Sequence, residues 1–427
     1  MQDVTRIADA RGEDGRVGLD ELARGGARRM IAWALEAEVE EYVQRFAGEL
    51  DGDGRRLVVR NGRGKQRRVT VGAGTLPIRA PRVNDRRGED ETGQRRRFTS
   101  YILPRYARRS PRVSDVLPVL YLRGLSTGDF QPALRDLLGE DASGLSASSI
   151  SRLTQAWQDE HAAFKRRRLD FVRYAYLFCD GVHVKVRLGE DKRLCLLVVI
   201  GVREDGRKEL LAIEDGYRES TDSWADVLRD LKTRGMSEPK LVTADGALGL
   251  WGALRDIFPN AREQRCWVHK IANALDALPK RVQPRAKGML HEAMEAPTRA
   301  ESSRAIDAFV AEFEPRWPKA AEKLTKDHDE LLAFYSFPAE HWRHLRTTNP
   351  IESSFATVKL RTKVTKGAGS KAAALAMAYK LLDAAQERWR AFNGAELLGD
   401  VLDGATFKDG TKVTDDETTT TNERVAA

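Results

Sequence analysis

A chain of 427 residues exceeds what one ordinary core needs and predicts two to four folded units. The longest apolar run, residues 194–202, falls far short of the ~20 residues that cross a bilayer, which excludes a membrane-spanning protein; no signal pattern opens the chain. Three scattered cysteines, Cys179, Cys195 and Cys266, exclude a disulfide framework and fit the reducing cytoplasm.

The net charge of +8 is unevenly spread: residues 51–120 hold 18 Lys plus Arg against 7 Asp plus Glu, a surplus of +11, so the remainder carries −3. Such a concentration is the electrostatic footprint of a polyanion-binding protein, nucleic acid being the commonest partner; the bland alternative is a solvated surface.

In chain order, the first residues through Arg16 are polar and read as irregular, and Leu19 to Phe46 reads as a helix. The basic segment follows to residue 112, with Arg60, Arg63, Lys65, Arg67 and Arg68 among short alternating pieces punctuated by Gly and Pro, predicting small strands and loops. Residues 113–170 predict three short helices with serine-capped entries, the last holding Arg152, in a helix-turn-helix-like arrangement or a plain helical linker. Strand-like runs Tyr174–Asp180, Val182–Val186, Leu194–Val202 and Glu209–Glu214 come next, then an amphipathic helix after Ser220 closed by Gly235, a strand over Lys240–Ala244, a helix ending at Pro259, and a strand over Arg262–Val268. Strands in a run followed by strand–helix alternation predict a mixed α/β sheet over residues 171–275. Helical periodicity alone fills 276–345, an all-helical insertion, before the segment 346–393 with helices from Asn349 and over Lys371–Arg390; residues 394–427, Thr-rich and poor in apolar residues from Thr406, read as a disordered tail.

Three acids stand at informative places. Asp180 and Asp245 each end an apolar strand run, and Glu352 lies early in a helix after Asn349-Pro350. Carboxylates at strand ends point to the rim of an α/β sheet, where ligands gather. Each has a bland reading too: Asp180-Gly181 and Asp245-Gly246 match Asp-Gly turns, and Glu352 sits where a capping box with Asn349 would place it. Together they suit two-metal phosphoryl transfer, in which hard oxygen ligands hold two Mg²⁺ or Mn²⁺ ions. Lys359, Arg361, Lys363 and Lys366, on or after the Glu352 helix, would lie beside bound phosphates unless they form a solvated helix face. Cys266-Trp-Val-His269 is half a zinc site, with no second pair nearby. His183, His341 and His344 are candidate supporting or DNA contacts, or simply satisfied residues.

The string Arg346-Thr-Thr-Asn-Pro-Ile-Glu-Ser-Ser-Phe-Ala-Thr-Val-Lys-Leu-Arg-Thr-Lys-Val-Thr-Lys-Gly-Ala-Gly369 closely resembles the segment around the catalytic glutamate of bacterial Mutator-type transposases, the insertion sequence 256 family. Arg60-Asn-Gly-Arg63, Ala80-Pro-Arg-Val83, Tyr121-Leu-Arg-Gly-Leu-Ser-Thr127, Ser146-Ala-Ser-Ser-Ile-Ser-Arg152 and Arg265-Cys-Trp-Val-His269 resemble that family's patterns in the same order, so the likeness covers roughly residues 30–393. The resemblance implies an RNase H-like core interrupted by a helical insertion, a DDE triad of Asp180, Asp245 and Glu352, and a C-x-x-H at Cys266 and His269. It further implies binding of double-stranded DNA at terminal inverted repeats by the N-terminal region, strand transfer into target DNA, action as a homodimer, and work on the bacterial nucleoid. The alternatives are a sequence-specific DNA-binding regulator derived from a transposase, or an RNase H-like nuclease or resolvase.

Overall fold

The computed structural model describes residues 18–89, 93–113, 116, 120, 147–186, 193–216, 219–246, 248–364 and 370–413. The chain divides into two compact units at Leu153–Thr154. Of the helices expected over 114–146 only residues 116 and 120 are described, and Lys366 lies outside the described residues.

In the first unit, α1 (Leu19–Arg45) buries Leu35 and Val39. Four short strands follow, β1 (Val58–Arg63), β2 (Arg67–Val71), β3 (Gly74–Ile78) and β4 (Pro81–Asp85), paired antiparallel as β1 with β4 and β2 with β3. Leu35, Val69, Leu76, Ile78 and Leu103 form the small core between helix and strands. Not every cation here is free for a ligand: Arg87 is 7% exposed, bonded to Asp85 at 2.7 Å and stacked on the Phe46 ring at 3.6 Å, and that guanidinium holds Asp85 down to about 2. A long helix, α2 (Ala147–Lys165), spans the boundary between the units.

The second unit is built on a five-stranded sheet of order β7-β6-β5-β8-β9, comprising β5 (Tyr174–Lys185), β6 (Arg193–Arg203), β7 (Lys208–Gly216), β8 (Leu241–Ala244) and β9 (Arg262–Arg265). β6 runs antiparallel to both of its neighbours, β5 and β7, while β8 and β9 run parallel to β5, so the sheet is mixed. β6 is buried along nearly its whole length, which is why its sequence is an unbroken apolar run. The two runs expected as separate strands, Tyr174–Asp180 and Val182–Val186, are one: Gly181 pairs with Leu197 and makes no turn. β9 ends at Arg265, because Cys266 caps the next helix instead of extending the strand.

One face of the sheet carries α3 (Thr221–Thr233), capped by the Ser220 hydroxyl accepting from the Ser223 N–H at 3.3 Å, and α4 (Leu248–Ile257). Trp224, Leu228, Leu231, Leu250 and Leu254 pack there on Leu177, Leu197 and Val199. These helices touch closely. A Cβ on Gly249 would stand 2.2 Å from the Glu219 carbonyl oxygen and 2.7 Å from the Thr221 nitrogen, backbone atoms that cannot swing aside. Gly249→Ala is therefore expected to cost ~1–3 kcal/mol and to lower the circular-dichroism melting temperature by several degrees. An unchanged melt would show that the helices part freely.

Between β9 and the helix of Glu352 the chain is helical throughout. The order is α5 (Trp267–Asp276), α6 (Gln283–Glu295), α7 (Arg299–Phe313), α8 (Pro318–Thr325), α9 (His328–Leu331), two 3-10 turns and α10 (Trp342–Leu345). Then α11 (Asn349–Val364) lies on β5, burying Ile351, Phe355 and Val358, and α12 (Lys371–Gln386) follows. The tail departs from the expectation of disorder. Residues 395–397 and α13 (Leu398–Leu402) are helical, and Phe407–Lys408 pairs with Thr411–Lys412 as a hairpin, β10 and β11. Phe407 is buried and the Asp409 carboxylate accepts from the Arg299 N–H at 2.7 Å, so local composition gave way to tertiary contacts. Among the described residues no helix is long and apolar enough to cross a membrane.

Candidate active site

Asp180 lies where β5 outlasts its parallel neighbour. The ladder pairs Phe178 with Thr243 and Cys179 with Ala244, where β8 stops, and one further step of the same register sets Asp245 beside Asp180. Burial, then the charge of Asp245, pushes the Asp180 carboxyl up to about 7. Its Oδ1 accepts the Gly181 N–H at 2.8 Å, a contact that offsets part of that rise. Asp245-Gly246 does turn, as its bland reading had it: Gly246 has φ +94°, and a Cβ there would fall on the Arg265 guanidinium. Arg265 is in turn ion-paired with Asp327 at 3.1 Å.

Glu352 reaches the same neighbourhood from α11, whose apolar stripe seats it on β5. The Thr348 carbonyl accepts the Ile351 and Glu352 N–H groups at 2.9 and 3.0 Å, so the cap is Thr348 and not Asn349. Glu352 turns its carboxylate to the Thr348 hydroxyl. That hydroxyl also lies 3.2 Å from the Cys266 sulfur and 3.4 Å from His269 Nδ1. Its one proton goes to the charged acceptor, Glu352, and the Thr348 N–H is the donor left to Cys266, at 3.3 Å. His269 Nδ1 is 3.6 Å from Glu352 Oε1. The hydrogen bond with Cys266, against burial, and then the charges of Cys266, Glu352 and Asp245 push His269 up to about 9. Burial raises the Cys266 thiol, but bonds from His269 and Thr348 more than offset it and leave it below the ordinary value. The Cys266–His269 pair thus bridges β9, α5 and α11, and His269 touches all three acids electrostatically.

A fourth acid joins them. Glu219, just before α3, lies against Gly181, where a Cβ would be 2.4 Å from its carboxylate oxygen, and burial followed by Asp245 raises its pKa. No pattern in the sequence distinguishes Glu219 from any acid before a serine cap. Among the described residues two groups of side chains are close enough to share an ion: Cys266, His269 and Glu352, and His183, Cys195 and Glu219. His341 is a satisfied core residue, its Nδ1 2.8 Å from the Tyr176 hydroxyl and its Nε2 2.9 Å from the Gly394 carbonyl, and burial lowers its pKa. His344 Nε2 accepts the Asn393 N–H at 3.4 Å.

The basic candidates divide. Arg361 is 2% exposed, three residues beyond Val358 on the buried stripe of α11, so it packs inside and does not face a ligand as expected. Lys359 and Lys363 are exposed. In the first unit Lys65, Arg67 and Arg68 line a cavity of about 1170 Å³ with Arg82, Arg97 and Arg105, whereas Arg60 and Arg63 grip Glu36, Arg63 at 2.9 Å. Arg152 is exposed on α2.

Residues 2–391 match the family model described as Transposase, Mutator family. The chain belongs to that family. It is 59% identical over 298 residues, 70% of its length and 92% of the relative's, to the transposase for insertion sequence element IS6120 of Mycolicibacterium smegmatis. It is 46% identical over 283 residues, 66% and 95% of the two lengths, to the transposase for element IST2 of Acidithiobacillus ferrooxidans. The likeness to the transposase for ISRM5 of Rhizobium meliloti, 29% identical, extends over 367 residues, 86% of this chain and 88% of that one. As a Mutator-family transposase the chain acts on DNA.

Proposed function

We propose that this transposase cuts and joins DNA at the terminal inverted repeats of its insertion sequence, using Asp180, Asp245 and Glu352 as a DDE triad on an RNase H-like core. The observation that carries the reading is the parallel register of β5 and β8, which sets two carboxylates side by side, with α11 holding a third against the same strand. The donor set fits hard divalent cations. A carboxyl that burial, and then a like-charged neighbour, push up to about 7 is a site whose cost a cation would relieve. Two Mg²⁺ or Mn²⁺ ions held by the three acids would supply the charge that makes water nucleophilic and stabilises the departing oxygen.

The chain's own residues do the rest. Asp180 and Asp245 would offer their carboxylate oxygens as cation ligands from the rigid sheet edge, and Thr348 and His269 hold the Glu352 carboxylate in one orientation. Water attacks the phosphorus at the element's end and the 3′-oxygen leaves as a hydroxyl. That hydroxyl then attacks a phosphodiester of target DNA, so one P–O bond breaks as another forms and no protein intermediate arises. The cavity lined by Lys65, Arg67 and Arg68 suits backbone contact with the repeats, and two copies of the chain, one per end, complete the reading. Purified protein should nick duplex carrying the element's end in Mg²⁺, and Asp245→Asn should cut at least about a thousandfold more slowly, a barrier rise of about 4 kcal/mol. Undiminished cutting by that variant would move the chemistry elsewhere.

A further inference from the structure

On the other side of the start of α11 lies a second feature that the triad does not use. Lys208 of β7, Arg343 of α10 and the run Arg388-Trp389-Arg390 after α12 line a cavity of about 410 Å³, floored by Thr347 and the first residues of α11. Thr347 is 6% exposed, and its hydroxyl has no hydrogen-bond partner. Thr347 lines the cavity, and a buried hydroxyl without a partner is a donor in want of an acceptor. Among the described residues none of the three arginines is ion-paired, unlike Arg173, which joins both Glu204 and Asp403, so their charge is available. The start of α11 adds the positive end of the helix dipole.

We propose that this groove binds phosphodiesters of the DNA strand next to the one being cut, a role that rests on the triad reading above. The chemistry selects an anion with several oxygens: guanidinium groups fork onto phosphate, and the Thr347 hydroxyl adds a short donor. Trp389, half-buried between two arginines, adds a face on which an unpaired base stacks, a combination that suits nucleic acid better than a free anion. Position supports the same occupant. Thr347 precedes Thr348, which holds Glu352, and Ser353, which lines the groove, follows Glu352, so groove and carboxylate share the start of α11.

The test uses the full chain in Ca²⁺, so that binding is read without cutting, with fluorescently labelled duplex carrying the element's terminal repeat and flanking DNA. Arg388→Ala/Arg390→Ala is expected to bind about tenfold more weakly near physiological salt and to flatten the slope of log affinity against log salt by about 2. Thr347→Val should bind several-fold more weakly with an unchanged melting temperature. A duplex ending inside the repeat, short of the cleavage position, should bind wild type and variants alike. Asp180→Asn should keep the wild-type slope, so a failure of the triad reading would show as its undiminished cutting in Mg²⁺ and leave these binding results standing. Wild-type affinity and slope in the double variant would overturn the groove. Saturable binding of inorganic phosphate that the double variant loses while its DNA binding is unchanged would overturn it in favour of a free-anion site.

Discussion

Asp180→Asn is expected to abolish strand cleavage, by three orders of magnitude or more, and at the same time to make the metal-free protein more stable above neutral pH. The two effects share one cause. In the fold the carboxyl is buried beside Asp245 and pushed up to about 7, whereas in the unfolded chain it titrates near its ordinary value of about 4. The folded state therefore binds the extra proton between those values. Its contribution is complete below about pH 4 and is lost as pH rises through 7, a penalty on the order of 3–4 kcal/mol by pH 8. Asparagine carries no charge and escapes it. Melts with EDTA should show the variant several degrees above wild type at pH 8 and the gap closing toward pH 5. Buried histidines do not confound the comparison. His161, His341 and His344, all lowered first by burial, weaken both proteins alike as pH falls below about 6.5. Adding Mn²⁺ should raise the wild-type melt and leave the variant's in place. A variant no more stable than wild type at pH 8 would mean that Asp180 is not held against Asp245, and the site would lose its main physical support.

Thr348→Val should slow cleavage about 10- to 100-fold with little change in DNA binding. The substitution keeps the shape of the side chain and the backbone N–H that Cys266 accepts, and deletes only the hydroxyl that holds Glu352. Supporting residues behind metal ligands typically matter to that extent, because a carboxylate free to rotate spends less time in its productive geometry. Thr348→Ser restores the hydroxyl and should recover most of the rate. Single-turnover cutting, combined with Mn²⁺ affinity read by electron paramagnetic resonance, separates orientation from folding. A valine variant that binds Mn²⁺ and cuts like wild type would show that His269 alone suffices to orient Glu352.

Much of this was legible along the chain because it depends on near neighbours. Periodicity marked α1, α3 and the helices after β9, the unbroken apolar run marked β6, and charge bookkeeping marked residues 51–120. Where a chemical type conflicted with a spacing, the spacing held. Arg361 looked like a phosphate contact by its charge, yet it stands three residues after Val358 on the face that packs inward. Asp180-Gly181 looked like a turn, yet the ladder with β6 runs straight through it, and the glycine is needed because Glu219 occupies the space of a side chain. Asn349 looked like the cap of α11, but the helix begins one position earlier and Thr348 takes the role.

The sequence by itself determined the mixed α/β character, the helical block, the family resemblance and the three acids as candidates, since these follow from residue types and short spacings. Only the tertiary structure decided that Asp245 stands beside Asp180, that Glu219 joins them, and that Thr348, Cys266 and His269 converge on Glu352. Those facts depend on strand register and on residues as far as 172 positions apart, brought together by a sheet ladder and a buried helix face whose partners no local pattern names.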